Sequence, residues 1–229
     1  MRYFYSAVFY CLMPFIALRM LVRSRRAPQY RRRMGERLGY FNNPLANRSV
    51  PVLWVHAVSV GETLAAAPLV EALLQRYPGH RLVLTTTTPT GSERVQALFG
   101  ERVFHVYFPW DTPGAVKRFL GQISPQVLVI METELWPNML HYTHSAGCKI
   151  VLANARMSER SARGYAKLGR FSAAMLKKLD VVACQSVPDG ERFVSLGLPP
   201  SVLHVTGSIK FDVQLDDALV ATAKRLRED

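Results

Sequence analysis

Seven short apolar runs recur along the chain at Val52–Val55, Leu82–Thr86, Val103–Tyr107, Val127–Met131, Lys149–Ala153, Val181–Cys184 and Val202–Val205. Runs continuous in Val, Leu and Ile, rather than alternating with polar residues, suit strands buried on both faces. Between them lie segments with helical spacing, such as Leu64–Tyr77 and Gly164–Leu179. That order predicts an α/β fold: a Rossmann-like, doubly wound parallel sheet with helices on both faces. At 229 residues and 49% hydrophobic content such a domain buries enough surface to fold without a disulfide or metal staple. Cys11, Cys148 and Cys184 are odd in number and widely spaced, which suits a reducing compartment and forms neither a disulfide framework nor a zinc motif.

The polar clusters share one address. His56–Glu62 (HAVSVGE) follows the first run, Thr85–Gly91 (TTTTPTG) closes the second, and Pro109–Asp111 follows the third. Glu132–Asn138 (ETELWPN), Asn154–Ser158 (NARMS), Gln185–Ser186 and Gly207–Asp212 (GSIKFD) follow the fourth to the seventh. In a doubly wound sheet all of these lie at the carboxyl edge, where ligands bind, several of them before helix N-termini that favour anions.

Charge and hydropathy set the N-terminus apart. Lys and Arg number 29 against 17 acids, a net charge of +12. Residues 1–40 hold nine arginines and one acid, Glu36, so +8 of the +12 sits there and the body carries +4. A globally basic nucleic-acid coat is excluded by that distribution. From Tyr3 to Val22, 17 of 20 residues are apolar, the exceptions being Ser6, Pro14 and Arg19. Twenty helical residues reach about 30 Å, the thickness of a hydrocarbon core. The eight arginines at 19–37 follow this stretch and by the positive-inside rule keep the body cytoplasmic, facing anionic headgroups. A single N-terminal anchor is the leading reading; a surface-lying helix and a buried core helix are the alternatives. A cleaved signal peptide would carry its charge in front instead.

Several acids in these clusters have structural explanations. Ser59-Val-Gly-Glu62 has the form of a capping box, which would make Glu62 a helix cap as readily as a catalyst. Thr90-Gly-Ser-Glu93 reads as a second capping box, and Asp111 before Thr112-Pro113 as an N-cap. Glu132, directly after an apolar run, is expected to be partly buried with Arg156 as partner, either as a buttress or in an active site. Glu134 reads as an ordinary first-turn acid. His141 and His144 share a helix face but lack the surrounding motif of a metal site, and there is no Walker A, GxGxxG or GxSxG sequence.

Taken together and in order, HAVSVGE, TTTTPTG, ETELWPN, NARMS and GSIKFD resemble the N-terminal half of 3-deoxy-D-manno-octulosonic acid (Kdo) transferases, which add Kdo to the lipid A precursor in Gram-negative bacteria. The resemblance implies the N-terminal, acceptor-binding domain of a GT-B glycosyltransferase, with the cytoplasmic side of the inner membrane as its location. It puts the catalytic base on Glu62 and a second active-site carboxylate on Glu132. Ser59, Gly61, Thr88, Arg156 and Lys210 become substrate-binding residues. No cofactor or metal is implied; the donor is CMP-Kdo, the acceptor a lipid A precursor, the surface anionic lipid, with no nucleic acid. The implied organisation is an anchor at 1–22, a basic segment and linker at 23–49, the acceptor domain at 50–212, and at 213–229 the start of an interdomain segment, helical from Asp216 to Arg227. The nucleotide-binding half would follow, so this chain alone is expected to be inactive. A non-catalytic membrane-docking fragment and a GT-B enzyme for another nucleotide sugar are the competing readings.

Overall fold

The computed structural model describes residues 1–25, 27–43 and 50–209. Seven strands form one sheet: β1 Val52–His56, β2 Arg81–Thr86, β3 Phe104–Tyr107, β4 Val127–Met131, β5 Lys149–Ala155, β6 Val181–Cys184 and β7 Leu203–Val205. Their spatial order is β3-β2-β1-β4-β5-β6-β7, and every neighbouring pair is parallel. The order reverses between β1 and β4, so the topological switch point opens at their carboxyl ends.

β1 shows why continuous apolar runs were required. Val52 and Trp54 enter a core with Phe108, Phe119, Leu128 and Ile130 on one face. Leu53 and Val55 enter a second core with Ala66, Val70, Leu84 and Met131 on the other. The helices divide accordingly. α3 (Val60–Arg76) and α4 (Pro89–Phe99) cover the second face. α5 (Pro113–Ile123), α6 (Pro137–Ser145), α8 (Arg170–Leu176) and α9 (Val187–Ser195) cover the first. Trp54 is fully enclosed, and its truncation to Ala costs about 3–5 kcal/mol.

Three local expectations need correction. The helix expected over 164–179 is two: α7 (Glu159–Lys167) ends before Gly169, whose φ of +48° turns the chain into α8. The Ser172 hydroxyl then donates to the Tyr165 carbonyl across the break at 2.7 Å. The cap of α4 is Thr88 rather than Thr90, because Pro89 occupies the first helical position, where its missing N–H costs nothing. Asp111 does not cap α5, whose N-cap is Thr112; it caps α6 from across the fold, accepting from the Asn138 and Met139 amides at 2.9 and 2.7 Å.

The arginine block also divides. Arg33 donates to the Ser92 hydroxyl and the His105 carbonyl, and its neighbour Glu36 accepts from the Tyr107 amide. In the short helix α2 (Met34–Arg37), Arg37 is buried against the Tyr107 ring and donates to the Thr87 carbonyl. Gly39, at φ +81°, lies so near α5 that a Cβ would stand 2.5 Å from the Ala115 carbonyl oxygen. Arg33 and Arg37 thus hold the segment to the sheet edge instead of facing headgroups.

Candidate active site

α3 begins where β1 ends, at the switch point. Ser59 is its N-cap, taking the Glu62 amide at 3.3 Å on its hydroxyl oxygen and donating the hydroxyl proton to Glu62 Oε1 at 2.9 Å. Glu62 Oε2 accepts from the Val58 amide at 2.8 Å. The capping box is therefore present in variant form, its acid reaching one residue further back than Ser59. Both carboxylate oxygens are held while the side chain keeps 8% of its surface exposed.

Burial pushes the Glu62 carboxyl up to about 7. The Val58 and Ser59 hydrogen bonds oppose that rise, and the carboxylates of Glu134 and Glu132 add to it. A helix N-terminus favours the anion, so two effects compete here, and desolvation wins. The result is a fixed carboxyl that exchanges a proton near neutrality, the property a general base needs.

Glu132 and Glu134 come from the loop after β4. Glu132 adopts φ +57°, a conformation rare outside glycine, and its amide donates to the Ala153 carbonyl at 2.9 Å. Glu134 precedes α6 rather than sitting in its first turn. It is half-buried, accepts from Trp136 Nε1 at 3.0 Å, and its carboxyl is raised by burial and by Glu132. Sequence reasoning passed over Glu134; Pro137 marks the true helix start, and that signal would have placed Glu134 in the loop. Among the described residues no three His, Cys, Asp or Glu side chains gather closely enough to hold a metal ion.

Asn154 was also missed. It is the sixth residue of β5, at φ +53° and buried, with its Oδ1 accepting from the Ile209 amide at 3.3 Å. Its Nδ2 has no hydrogen-bond partner among the described residues. Two non-glycine residues in the left-handed region, at the carboxyl ends of the adjacent strands β4 and β5, are the kind of strain that collects at functional sites.

The remaining candidates are placed separately. Ser59 and Gly61 stand beside Glu62; Gly61 is exposed, and a side chain added there would meet only Ser59 Oγ at 3.9 Å. Thr88 commits its hydroxyl to the Gly91 amide at 3.1 Å as the cap of α4. Arg156 is exposed on the loop after β5, and its carbonyl accepts from the Thr133 hydroxyl. Lys210 and the expected helix over 216–227 lie outside the described residues. His56 is enclosed, hydrogen-bonded through Nδ1 to Thr85 Oγ1 at 2.8 Å and held neutral by burial at a pKa of about 3. It serves the wall behind the site and carries no charge into it. A cavity of about 680 Å³ lies at the opposite edge near the starts of β2 and β3 and has no part in this chemistry.

The model of the 3-deoxy-D-manno-octulosonic-acid transferase (kdotransferase) family matches residues 32–213, from the docked arginine segment to the far edge of the sheet. The chain belongs to the Kdo transferase family. A 3-deoxy-D-manno-octulosonic acid transferase of Haemophilus influenzae is 40% identical over 227 residues, covering 99% of this chain and 53% of that protein. One from Bordetella pertussis is 42% identical over 171 residues, covering 72% of this chain and 39% of its own. The chain thus spans about half the length of the curated relatives it matches. Among solved structures, the UDP-GlcNAc 2-epimerase of Neisseria meningitidis bound to UDP-GlcNAc superimposes with a TM-score of 0.51 at 13% identity, covering 77% of this chain and 50% of that one. That likeness extends to the fold. The family's glycosyltransferase character and the Rossmann-like sheet therefore rest on two separate observations, one of sequence and one of shape.

Proposed function

We propose that this chain is the acceptor-binding half of a glycosyltransferase that moves Kdo from CMP-Kdo to a hydroxyl of a lipid A precursor, on the cytoplasmic side of the inner membrane. Glu62 is the general base. As the acceptor oxygen bonds to the anomeric carbon of Kdo, its proton passes to a Glu62 carboxylate oxygen. The bond from that carbon to the CMP phosphate oxygen breaks, and CMP leaves with the electron pair. Burial keeps the Glu62 carboxyl basic enough for this role, and Glu134 and Glu132 add to the effect by repelling its anionic form. Arg156, exposed beside them, offers charge to the acceptor's phosphates or the donor's carboxylate, and Gly61 leaves the approach to Glu62 open. Lys210 and Thr88 belong to the same proposed binding surface. The chemistry needs no cofactor.

The observation that carries this reading is the Glu62 carboxyl itself, fixed by two hydrogen bonds at the switch point and pushed from its ordinary 4.5 up to about 7. The test is Glu62→Gln in a complete enzyme made by joining this chain to the C-terminal half of a family relative. Gln keeps the acceptor for the Val58 amide but takes no proton, so turnover should fall by about 10²–10⁴ while acceptor binding changes little. Near-parental turnover in the folded variant would remove Glu62 as the base and turn attention to Glu132. The chain alone should show no transfer and only weak CMP binding by calorimetric titration; tight CMP binding would put the donor site in this half.

A further inference from the structure

The N-terminal helix α1 (Arg2–Arg23) is long and apolar enough to cross a membrane, yet it is attached to the body at the end that would have to be on the far side. The Arg2 guanidinium donates to Asn138 Oδ1 at 3.1 Å and to the Tyr142 hydroxyl at 3.0 Å. The buried Ser6 hydroxyl meets the Asn138 amide at 3.0 Å. Asn138 is itself fully enclosed, and its side chain donates to the Asp111 carbonyl at 2.6 Å. Four residues along, the Tyr10 hydroxyl lies 3.8 Å from the position of a Cβ on Gly114, at the start of α5.

Beyond that point the C-terminal end of α1 packs on the short helix Pro28–Arg31 that follows it. Arg2, Tyr5, Phe9, Met13, Ile16 and Met20 are half-buried, with Ser6 and Ser24 buried. They recur every three or four residues, which is one stripe of an α-helix from end to end. With residues up to Tyr10 held against the body, the 13 residues from Cys11 to Arg23 reach only about 20 Å, short of a hydrocarbon core of about 30 Å.

We infer that α1 does not span the bilayer but lies in its surface, on the same side as the sheet, clamped to the body through Asn138. The exposed face carries Tyr3, Phe4, Val8, Leu12, Phe15 and Leu18, an apolar stripe too long to leave in water. Its occupant is anionic lipid. Arg19, Arg23 and Arg25 cluster at the C-terminal end, with exposed Arg31 and Arg32 following, and an anionic surface attracts such a basic cluster. A second copy of this chain would bring its own arginine-rich segment, of net charge +8, toward the first. The inference rests on the membrane location proposed above and deepens it: the site would be held at a fixed distance from the lipid surface instead of hanging from a tether.

Protease access to a cleavable tag placed before Met1, which is exposed, tests the topology. In membranes of a Gram-negative host, the tag should be lost in inside-out vesicles and kept in sealed spheroplasts. Loss in spheroplasts would overturn the inference. A second measurement avoids any tag effect. Cys11 is exposed near the middle of α1, whereas Cys148 and Cys184 are buried, so a fluorophore can be placed on Cys11 selectively. After reconstitution by detergent removal into phosphatidylethanolamine–phosphatidylglycerol vesicles, the dye should be quenched several-fold more by lipids brominated near the headgroup than by those brominated near the chain end. The reverse order would mean a spanning helix. Quenching by neither, in a chain that runs as a dimer, would give the face to a second copy and equally overturn the proposal. Failure of the membrane reading itself looks different: the intact chain would then stay in the soluble fraction, and the Cys11 dye would be quenched by neither lipid in a monomeric chain.

Discussion

Glu62 and Asp111 invite comparison, because each is a buried acid at the N-terminus of a helix and each is pushed up by burial, to about 7 and about 6. They differ in what surrounds the carboxylate. Asp111, 1% exposed, spends both oxygens on backbone amides of α6, and the same α6 residue, Asn138, holds α1. Glu62 accepts from one amide and one hydroxyl and feels the charge of two further carboxylates. A raised pKa alone therefore does not separate a catalyst from a strut. The neighbours do: a pair of backbone donors fixes a fold, while nearby like charges tune a proton acceptor.

The largest expected effect sets the two residues against each other in kinetics. In the complete enzyme Glu62→Gln should lose about 10²–10⁴ of turnover, whereas Asp111→Asn, measured in whatever fraction folds, should stay within about tenfold of the parent. Equal losses would erase the distinction. Stability should show the opposite order. Asp111→Ala leaves the Asn138 and Met139 amides buried without an acceptor, at about 1–3 kcal/mol each, so urea unfolding should reveal a loss of about 3 kcal/mol. A loss under about 1 kcal/mol would make Asp111 dispensable to the fold.

A pH series sharpens the contrast further. The Glu62 carboxyl titrates near 7 in the fold against 4.5 as its ordinary value. Folding therefore takes up a proton between those values, and the stability linked to this acid is fully present below about 4.5 and lost as pH rises through about 7. His56 and His105, both held near 3 by burial, act the other way and weaken the fold as pH falls below about 6.5. Comparing Glu62→Gln with the parent cancels the histidines. The variant should melt several degrees higher at pH 8, with the gap closing by pH 5. A gap independent of pH would mean that Glu62 is not titrating in this range.

The smallest effect concerns Gly61. Exposed in the first turn of α3 with room for a methyl group, it should become about 0.5–1 kcal/mol more stable as Ala. If the approach to Glu62 is used by the acceptor, the same change should lower turnover. Unchanged kinetics in a stabilised Gly61→Ala enzyme would show that the acceptor comes from another direction.

The seven strands, the carboxyl-edge address of the polar loops and the Ser59 cap are legible in the amino-acid sequence, as is the family through its five motifs. These are properties that short segments carry alone. A strand buried on both faces must be apolar throughout, and a cap must sit next to its helix. Glu62 is legible as a residue of interest, but its two readings cannot be separated without knowing which groups desolvate it. Glu134 and Asn154 are not legible as site residues, because their roles depend on loops from β4 and β5 being brought beside α3.

What the sequence determined by itself is the layered α/β fold and its ligand-binding edge, since both follow from local periodicity and from the handed way strands and helices pack. Tertiary structure alone decided that Asp111 caps α6 instead of the helix that follows it, that Arg33 and Arg37 turn inward, and that the N-terminal end of α1 is held to α6 through Asn138. Each of these is a pairing between segments distant in the chain. An aspartate, an arginine or an apolar helix carries no local mark of which distant partner will satisfy it; only the packed fold brings the partner within reach.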